Sequence, residues 1–78
     1  MKYFLLVYDR GIQKIIEGPR PYAFEERDAA LADRERAISD NIVDPNIEVV
    51  LLGADSIDEL RKTHARYFQT SDEIISAR

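Results

Sequence analysis

The chain has no cysteine and only one histidine, and these two absences remove several classes of chemistry. Without cysteine there is no disulfide framework, no thiolate nucleophile and no cysteine-ligated metal. A single histidine, His64, cannot build a multi-histidine site within one subunit. We therefore expect no cofactor and no resident metal, apart from one acidic alternative considered below.

A long apolar run and a surplus of basic residues are also missing. The apolar opening from Tyr3 to Tyr8 is interrupted by Asp9 and Arg10, so it is too short to span a membrane, and no cleavage site follows it. The net charge is −4, from 15 acidic and 11 basic residues, which disfavours nucleic-acid binding because phosphate contacts need basic groups. We predict a cytoplasmic protein that contacts no membrane and no nucleic acid.

The apolar residues that are present indicate strands. Lys2 to Tyr8 are apolar on both faces, which is typical of a central strand. Gly11 is expected to supply the positive φ of a turn, after which Ile12 to Glu17 predict an edge strand. The two prolines in residues 18–21 are expected to end that strand. Ile47 to Leu52 predict a third strand, again apolar on nearly both faces.

Helical patterns lie between and after these strands. Residues from about Tyr22 to Asn41 show the spacing of an amphipathic helix. Its expected buried stripe consists of Phe24, Leu31, Ile38 and Ile42. Ser56 with Glu59 forms a capping-box pattern that starts a second helix, expected to continue to about Phe68. The same pattern recurs further on, so Ser71 to Ala77 predict a short final helix.

These elements predict one α+β domain over residues 1–78, with the order ββαβα and a short C-terminal helical tail. A right-handed crossover from strand two places strand three beside strand one. The result is a three-stranded antiparallel sheet of order 2-1-3. This arrangement is a split β-α-β unit, close to half of a ferredoxin-like fold.

The apolar surface of strands one and three exceeds what helices on a single face can cover. Monomeric soluble proteins rarely leave such a patch bare, and a chain of this size gains stability from association. We therefore predict a homo-oligomer, specifically a homodimer. Its expected interface is the row Tyr3, Leu5 and Val7. The opposite row of strand one, edge-to-edge pairing into a longer sheet, and helices on opposite faces remain as alternatives.

Two short segments carry the candidate binding residues, one at the end of strand one and one in the second helix. They are Tyr8, Asp9, Arg10, His64, Arg66 and Tyr67. Strand ends favour site residues, and a histidine can act as a general base or a ligand anchor. The simpler interpretation is preferred for both segments: Asp9 hydrogen-bonds its own turn, and His64 is a half-buried helix residue. No catalytic residue is assigned.

Three acidic residues support the enzymatic alternative. Asp9, Glu26 and Asp55 follow a strand, begin a helix and follow a later strand, an order that resembles ribonuclease H-like nucleases. The resemblance implies hydrolysis assisted by a divalent metal. That fold needs a further strand after the first hairpin, for which the chain has no room before Pro19. We therefore favour a protein that is not an enzyme.

Arginines near the long helix are the remaining feature that suggests nucleic acid. They are Arg20, Arg27, Arg34 and Arg36. Acidic neighbours on both sides favour a solvated, salt-bridged face instead.

Two resemblances to known proteins concern the most apolar segments. The opening from Met1 to Asp9 resembles the YciI-like proteins, small dimeric ferredoxin-like domains, over one strand only, and no activity is carried over. The opening strand, Ile47 to Ser56 and Thr63 to Phe68 are similar to short actinobacterial proteins of unknown function, which implies no activity either. We predict a small non-enzymatic, homo-oligomeric module that binds a protein partner or a small ligand.

Overall fold

The computed structural model describes residues 1–68, which form a three-stranded sheet and two α-helices. The elements are β1 (Lys2–Asp9), β2 (Lys14–Tyr22), α1 (Arg27–Asp40), β3 (Ile47–Ala54) and α2 (Ile57–Thr63). The sheet is antiparallel with the order β2-β1-β3, which confirms the predicted α+β fold and strand order. The predicted final helix, Ser71 to Ala77, lies outside the described residues. Within residues 1–68 no helix is long and apolar enough to cross a membrane.

The two helical segments cover opposite faces of the sheet, one of the arrangements that the sequence leaves open. Ala30 of α1 packs on the α1 face, which is formed by Tyr3, Leu5, Val49 and Leu51, with Tyr22 of β2 alongside. Leu60 of α2 and the following residue Tyr67 pack on the α2 face, which is formed by Phe4, Leu6, Tyr8, Val50 and Leu52. Both faces of β1 are therefore covered within one chain.

The predicted interface row lies beneath α1. Leu5 is 8% exposed, Val7 is 2% exposed, and Tyr3 is half-buried. A dimer interface on this row rests on the assumption that both helices lie on the other face. Because α1 covers the row, that assumption does not hold, and an interface must be sought elsewhere on the chain.

The second strand differs most from its prediction. It extends from Lys14 to Tyr22 and continues through Pro19 and Pro21, rather than ending at Glu17. A proline lacks only the N–H donor, which an edge strand can do without on its outer side. Two register shifts against β1 accommodate the segment, and the Gly18–Pro19 peptide bond is cis.

The turn before β2 also differs in detail. Residues 10–13 form the turn, and the positive φ falls on Gln13 (57°) rather than on Gly11. At Gly11 the structure leaves room for little more than a hydrogen, since a Cβ there would lie 3.1 Å from Oδ1 at the end of the Asp9 side chain.

The long helix begins later than predicted and presents a different side to the sheet. Tyr22 belongs to β2, a short 3-10 turn covers Phe24–Glu26, and α1 starts at Arg27. Phe24 and Ile42, expected in the buried stripe, are 58% and 77% exposed. The residues that face the sheet are instead the small or polar Ala30, Asp33, Ala37 and Asn41. Short side chains at these positions leave space between α1 and the sheet.

The second helix starts where its cap predicts and ends early. The Ser56 hydroxyl accepts a hydrogen bond from the Glu59 N–H at 3.1 Å, which confirms the predicted start. The helix ends at Thr63, and a 3-10 turn over Ala65–Tyr67 follows His64. This break turns Tyr67 down onto the α2 face.

Gly18→Ala should destabilise the fold strongly. Gly18 has a φ of +86°, and an added Cβ would lie 2.3 Å from the backbone oxygen of Leu5. We expect the free energy of unfolding, measured by urea denaturation, to fall by about 2–4 kcal/mol. Gly11→Ala is the matched control, because its Cβ would meet only the ends of the Asp9 and Asn46 side chains, at 3.1 and 3.4 Å. Equal losses for the two variants would contradict the assigned backbone contact.

Candidate functional site

The candidates at the end of β1 serve the turn and the neighbouring loop. Oδ1 of Asp9 accepts hydrogen bonds from the N–H groups of Gly11 at 2.8 Å and Ile12 at 3.3 Å, as the simpler interpretation predicts. The Arg10 N–H donates to the carbonyl of Asn46 at 2.9 Å, and its guanidinium donates to the carbonyl of Pro45. Asp9 thus stabilises the β1–β2 turn itself, and Arg10 joins that turn to the loop before β3.

Three other candidates, Tyr8, Arg66 and Tyr67, lie around Glu48, which the sequence analysis does not single out. Tyr67 donates its hydroxyl to the Glu48 carboxylate at 2.5 Å, and Arg66 donates to the same carboxylate at 2.9 Å. Arg66 also donates to the Tyr67 hydroxyl at 2.7 Å, and the Tyr67 ring meets Tyr8 edge to face at 5.0 Å. We call Tyr8, Glu48, Arg66 and Tyr67 the Glu48 cluster.

The charged and polar groups of the Glu48 cluster are hydrogen-bonded to one another. The hydrogen bond from Tyr67, together with Arg66, holds the pKa of Glu48 below its ordinary value. Burial and the same hydrogen bond raise the pKa of Tyr67, so the phenol stays protonated. Because the carboxylate, phenol and guanidinium bind one another, the cluster anchors the segment after α2 to β3 rather than offering free groups to a ligand.

His64 lies beside this cluster without joining it. It caps the C-terminus of α2 through its backbone N–H, which donates to the Leu60 carbonyl at 2.9 Å. Its ring is half-buried and 6.5 Å from the ring of Tyr67, in a tilted contact. The half-buried placement fits the simpler interpretation, but His64 lies directly after the last residue of α2 rather than within the helix.

The three carboxylates of the nuclease alternative do not converge. Asp9 pairs with Ile47 at the first residue of β3, whereas Asp55 follows the last. An antiparallel pair separates these ends by seven residues, about 23 Å. Asp55 instead lies 3.5 Å from the amino group of Met1. No group of three metal-capable side chains occurs anywhere in the described part of the chain, so the proposed acidic site is wrong.

Three of the four arginines near α1 are paired with acids, as the sequence indicated. Arg20 and Arg36 both lie within 4 Å of Asp33, at 3.7 and 3.3 Å, and Arg34 pairs with Glu35 at 2.9 Å. Such pairs belong to a solvated, salt-bridged surface.

A cavity of about 290 Å³ opens between α1 and the β1–β2 half of the sheet. Its apolar part is formed by Leu5 and Val7 of β1, with Ala37 of α1 opposite. The space exists because Ala37 and its neighbours on the inner side of α1 are short. The polar part of the lining carries Glu17, Arg20, Asp33, Arg36, Asp40 and Asn41.

Asp33 organises the polar side of the cavity. Its carboxylate accepts a hydrogen bond from the Tyr22 hydroxyl at 2.6 Å and one from Arg36 at 3.3 Å, and it pairs with Arg20. Burial and this hydrogen bond raise the pKa of Tyr22. Arg20 also stacks over the Tyr22 ring at 5.3 Å. Among the described residues, Glu17 and Asp40 form no ion pair, so the cavity lining retains two unpaired carboxylates.

Sequence reasoning missed both Glu48 and the cavity, for different reasons. Glu48 is the one charged residue in an apolar strand, and that isolation was an available signal. The sequence signal for the cavity was weaker. Short or polar side chains recur at helical spacing along α1, at Ala30, Asp33, Ala37 and Asn41. The larger Leu31 and Ile38 beside them suggested a different buried side.

The chain matches no protein-family model, no curated protein and no solved structure at a significant level. The resemblances to YciI-like and to short actinobacterial proteins stay predictions, and the function has to be inferred from the geometry.

Glu48→Gln should lower stability in a pH-dependent way. The pKa of Glu48 is depressed below 4.5, so its contribution is present above that pH and is lost as the pH falls through the folded-state pKa. We expect a loss of about 1–2 kcal/mol near neutral pH, which shrinks as acidic pH protonates the carboxylate of the parent, in urea denaturation of variant and parent.

The control for this variant is Glu35→Gln, which removes an exposed carboxylate paired with Arg34. We expect that change to cost well under 1 kcal/mol, about the value of a surface ion pair. A Glu48→Gln penalty that is the same at neutral and acidic pH would contradict the described hydrogen bonds.

Proposed function

We propose that this chain is a non-enzymatic module that binds a small amphipathic cation in the cavity beneath α1. The observation that supports this most is the combination, in one cavity of about 290 Å³, of an apolar floor and two exposed carboxylates that form no ion pair within residues 1–68. Ligand sites in proteins are typically concave and mostly apolar, with a few polar groups that set orientation. The ligand would be an ammonium group on a short apolar body.

The apolar part of the cavity sets the size of the ligand. Leu5 and Val7 are held rigidly in the central strand, and Ala37 faces them from α1. The volume of about 290 Å³ is at the lower end of the range for small-molecule sites, which favours a small ligand. A chain of roughly six carbons with a terminal ammonium fits within it.

The charged part of the cavity favours a cation. Glu17, Asp33 and Asp40 provide three negative charges against two positive charges from Arg20 and Arg36. Both arginines are already paired with Asp33, so an anion would have to compete for them. Within the described part of the chain, Glu17 and Asp40 form no ion pair, and the net charge of −4 also attracts cations at long range.

The module is further proposed to act as a homodimer in the cytoplasm. The dimer is supported by apolar surface on β3 that residues 1–68 leave half-exposed. The cytoplasmic location rests on the sequence alone and stays a prediction, as does a protein partner.

Binding should be detectable with n-hexylamine as the probe, with hexanoate as a probe of the same length and opposite charge. In ¹H–¹³C NMR titrations near neutral pH, we expect hexylamine to shift the Leu5 and Val7 methyl signals at millimolar concentration. Hexanoate should leave them unchanged. If hexylamine leaves the shifts of these methyl signals unchanged, or if only hexanoate changes them, the proposed ligand class is wrong.

Ala37→Leu should abolish this response by filling the cavity. Ala29→Leu is the matched control, because it makes the same change on the exposed side of the same helix. Glu17→Gln should weaken the hexylamine affinity about two- to fivefold, the value of an exposed charge pair. Unchanged affinity in Ala37→Leu would place the binding site outside the cavity.

A further inference from the structure

The third strand has the composition of a central strand but lies at the edge of the sheet. Ile47 to Leu52 are apolar except for Glu48 and are half-buried throughout, whereas the residues of β1 from Phe4 to Tyr8 are fully buried. Strands that are apolar on both faces normally have a neighbour on each side. Only β1 pairs with β3 among the described residues, so the outer backbone edge of β3 is open.

The two edges of this sheet are protected very differently. Along β2, two register shifts, a glycine at φ +86°, Pro19 and Pro21 disturb the strand, and Lys14 adds a charge. These are the devices by which natural sheets prevent edge-to-edge pairing. Along β3 there is no proline, lysine or arginine, and all eight residues keep a regular register with β1.

The one charged residue of β3 does not guard its edge. The carboxylate of Glu48 lies on the α2 face, where Arg66 and Tyr67 bind it. Its side chain is therefore held over the sheet rather than projected beyond the strand. As far as residues 1–68 define it, the β3 edge combines an open backbone with a regular, apolar surface.

We propose that β3 pairs antiparallel with β3 of a second copy of this chain, giving a continuous six-stranded sheet. The strand order becomes 2-1-3-3-1-2, with the protected β2 strands at both outer edges. The second copy is the occupant that the composition favours, because a two-fold interface brings the same apolar strand to both sides. The inference is independent of the ligand proposed for the cavity.

Symmetry restricts the register to a few choices. A two-fold axis perpendicular to the sheet keeps every side chain on its own face. Odd-numbered residues therefore lie opposite odd-numbered ones and even opposite even, so one residue lies directly opposite the same residue of the second copy. An axis at Val50 or at Leu51 pairs nearly the whole strand. Either choice keeps the two Glu48 residues at least four positions apart, about 13 Å, beyond the screening length at physiological salt.

The same axis keeps each face continuous across the dimer. The α1 faces of the two copies adjoin, as do the α2 faces, so the half-exposed aliphatic side chains of β3 lose their remaining contact with water. The favourable free energy comes from this apolar burial and from the new ladder of backbone hydrogen bonds. A single shared strand is a modest interface, so we expect dissociation in the micromolar range.

The test uses the cysteine-free background of this chain. Single variants Val50→Cys and Leu51→Cys place one thiol at each candidate axis, where opposing Cα atoms of about 4.5–5.5 Å separation can form a disulfide. Under mild oxidation we expect one of the two to form covalent dimers at least tenfold faster than Ile16→Cys, an exposed control on β2. Equal rates in all three variants would overturn the proposal.

A second measurement needs no substitution. Light scattering of the parent chain over a concentration series should show a monomer–dimer equilibrium, and hydrogen exchange should slow at alternate β3 amides as the dimer forms. A monomer at every concentration would overturn the proposal, whether the β3 amides exchange fast or are protected from within the same chain. Hexylamine binding by such a monomer would leave the proposed ligand site intact.

Discussion

Burial of β1 on both faces is the constraint that the rest of this structure has to satisfy. Its side chains from Phe4 to Tyr8 are apolar without interruption, and each is 8% exposed or less. At roughly 1.5–3 kcal/mol for each large apolar side chain buried, covering only one face would forfeit a large part of the stability of so small a domain. The α1 and α2 segments therefore lie on opposite sides of the sheet, and each side then acquires its own character.

The two helical segments cover their faces of the sheet to different extents. On the α2 side, Leu60 and Tyr67 are large and close the face tightly, and the Glu48 cluster anchors the segment that carries Tyr67. On the α1 side, Ala30 is the only fully buried residue of the helix, and Ala37 is too short to fill the space above Val7. The loosely covered side holds the cavity, which is why the binding proposal rests there and not on the cluster of aromatic and charged groups.

Elements with local determinants were predictable from the sequence, and features that depend on long-range contacts were not. Ser56 caps α2 through a residue three positions away, and Asp9 hydrogen-bonds its own turn, so both followed from short-range chemistry. The continuous apolar run of β1 likewise predicted the central position of that strand. The continuation of β2 through Pro19 depends on an edge position that only tertiary pairing creates. Glu48 and Tyr67 are 19 positions apart, so their contact had no local signal.

The opposed placement of the helices is the central claim, because the cavity beneath α1 and the burial of the Tyr3–Leu5–Val7 row both follow from it. Methyl and aromatic NOE measurements on the parent chain test it most directly. The structure predicts contacts from the Ala30 methyl to Leu5, contacts from the Leu60 methyls to Phe4, and none between Ala30 and Leu60. Cross-peaks between Ala30 and Leu60 would place both helices on one face and would contradict the account.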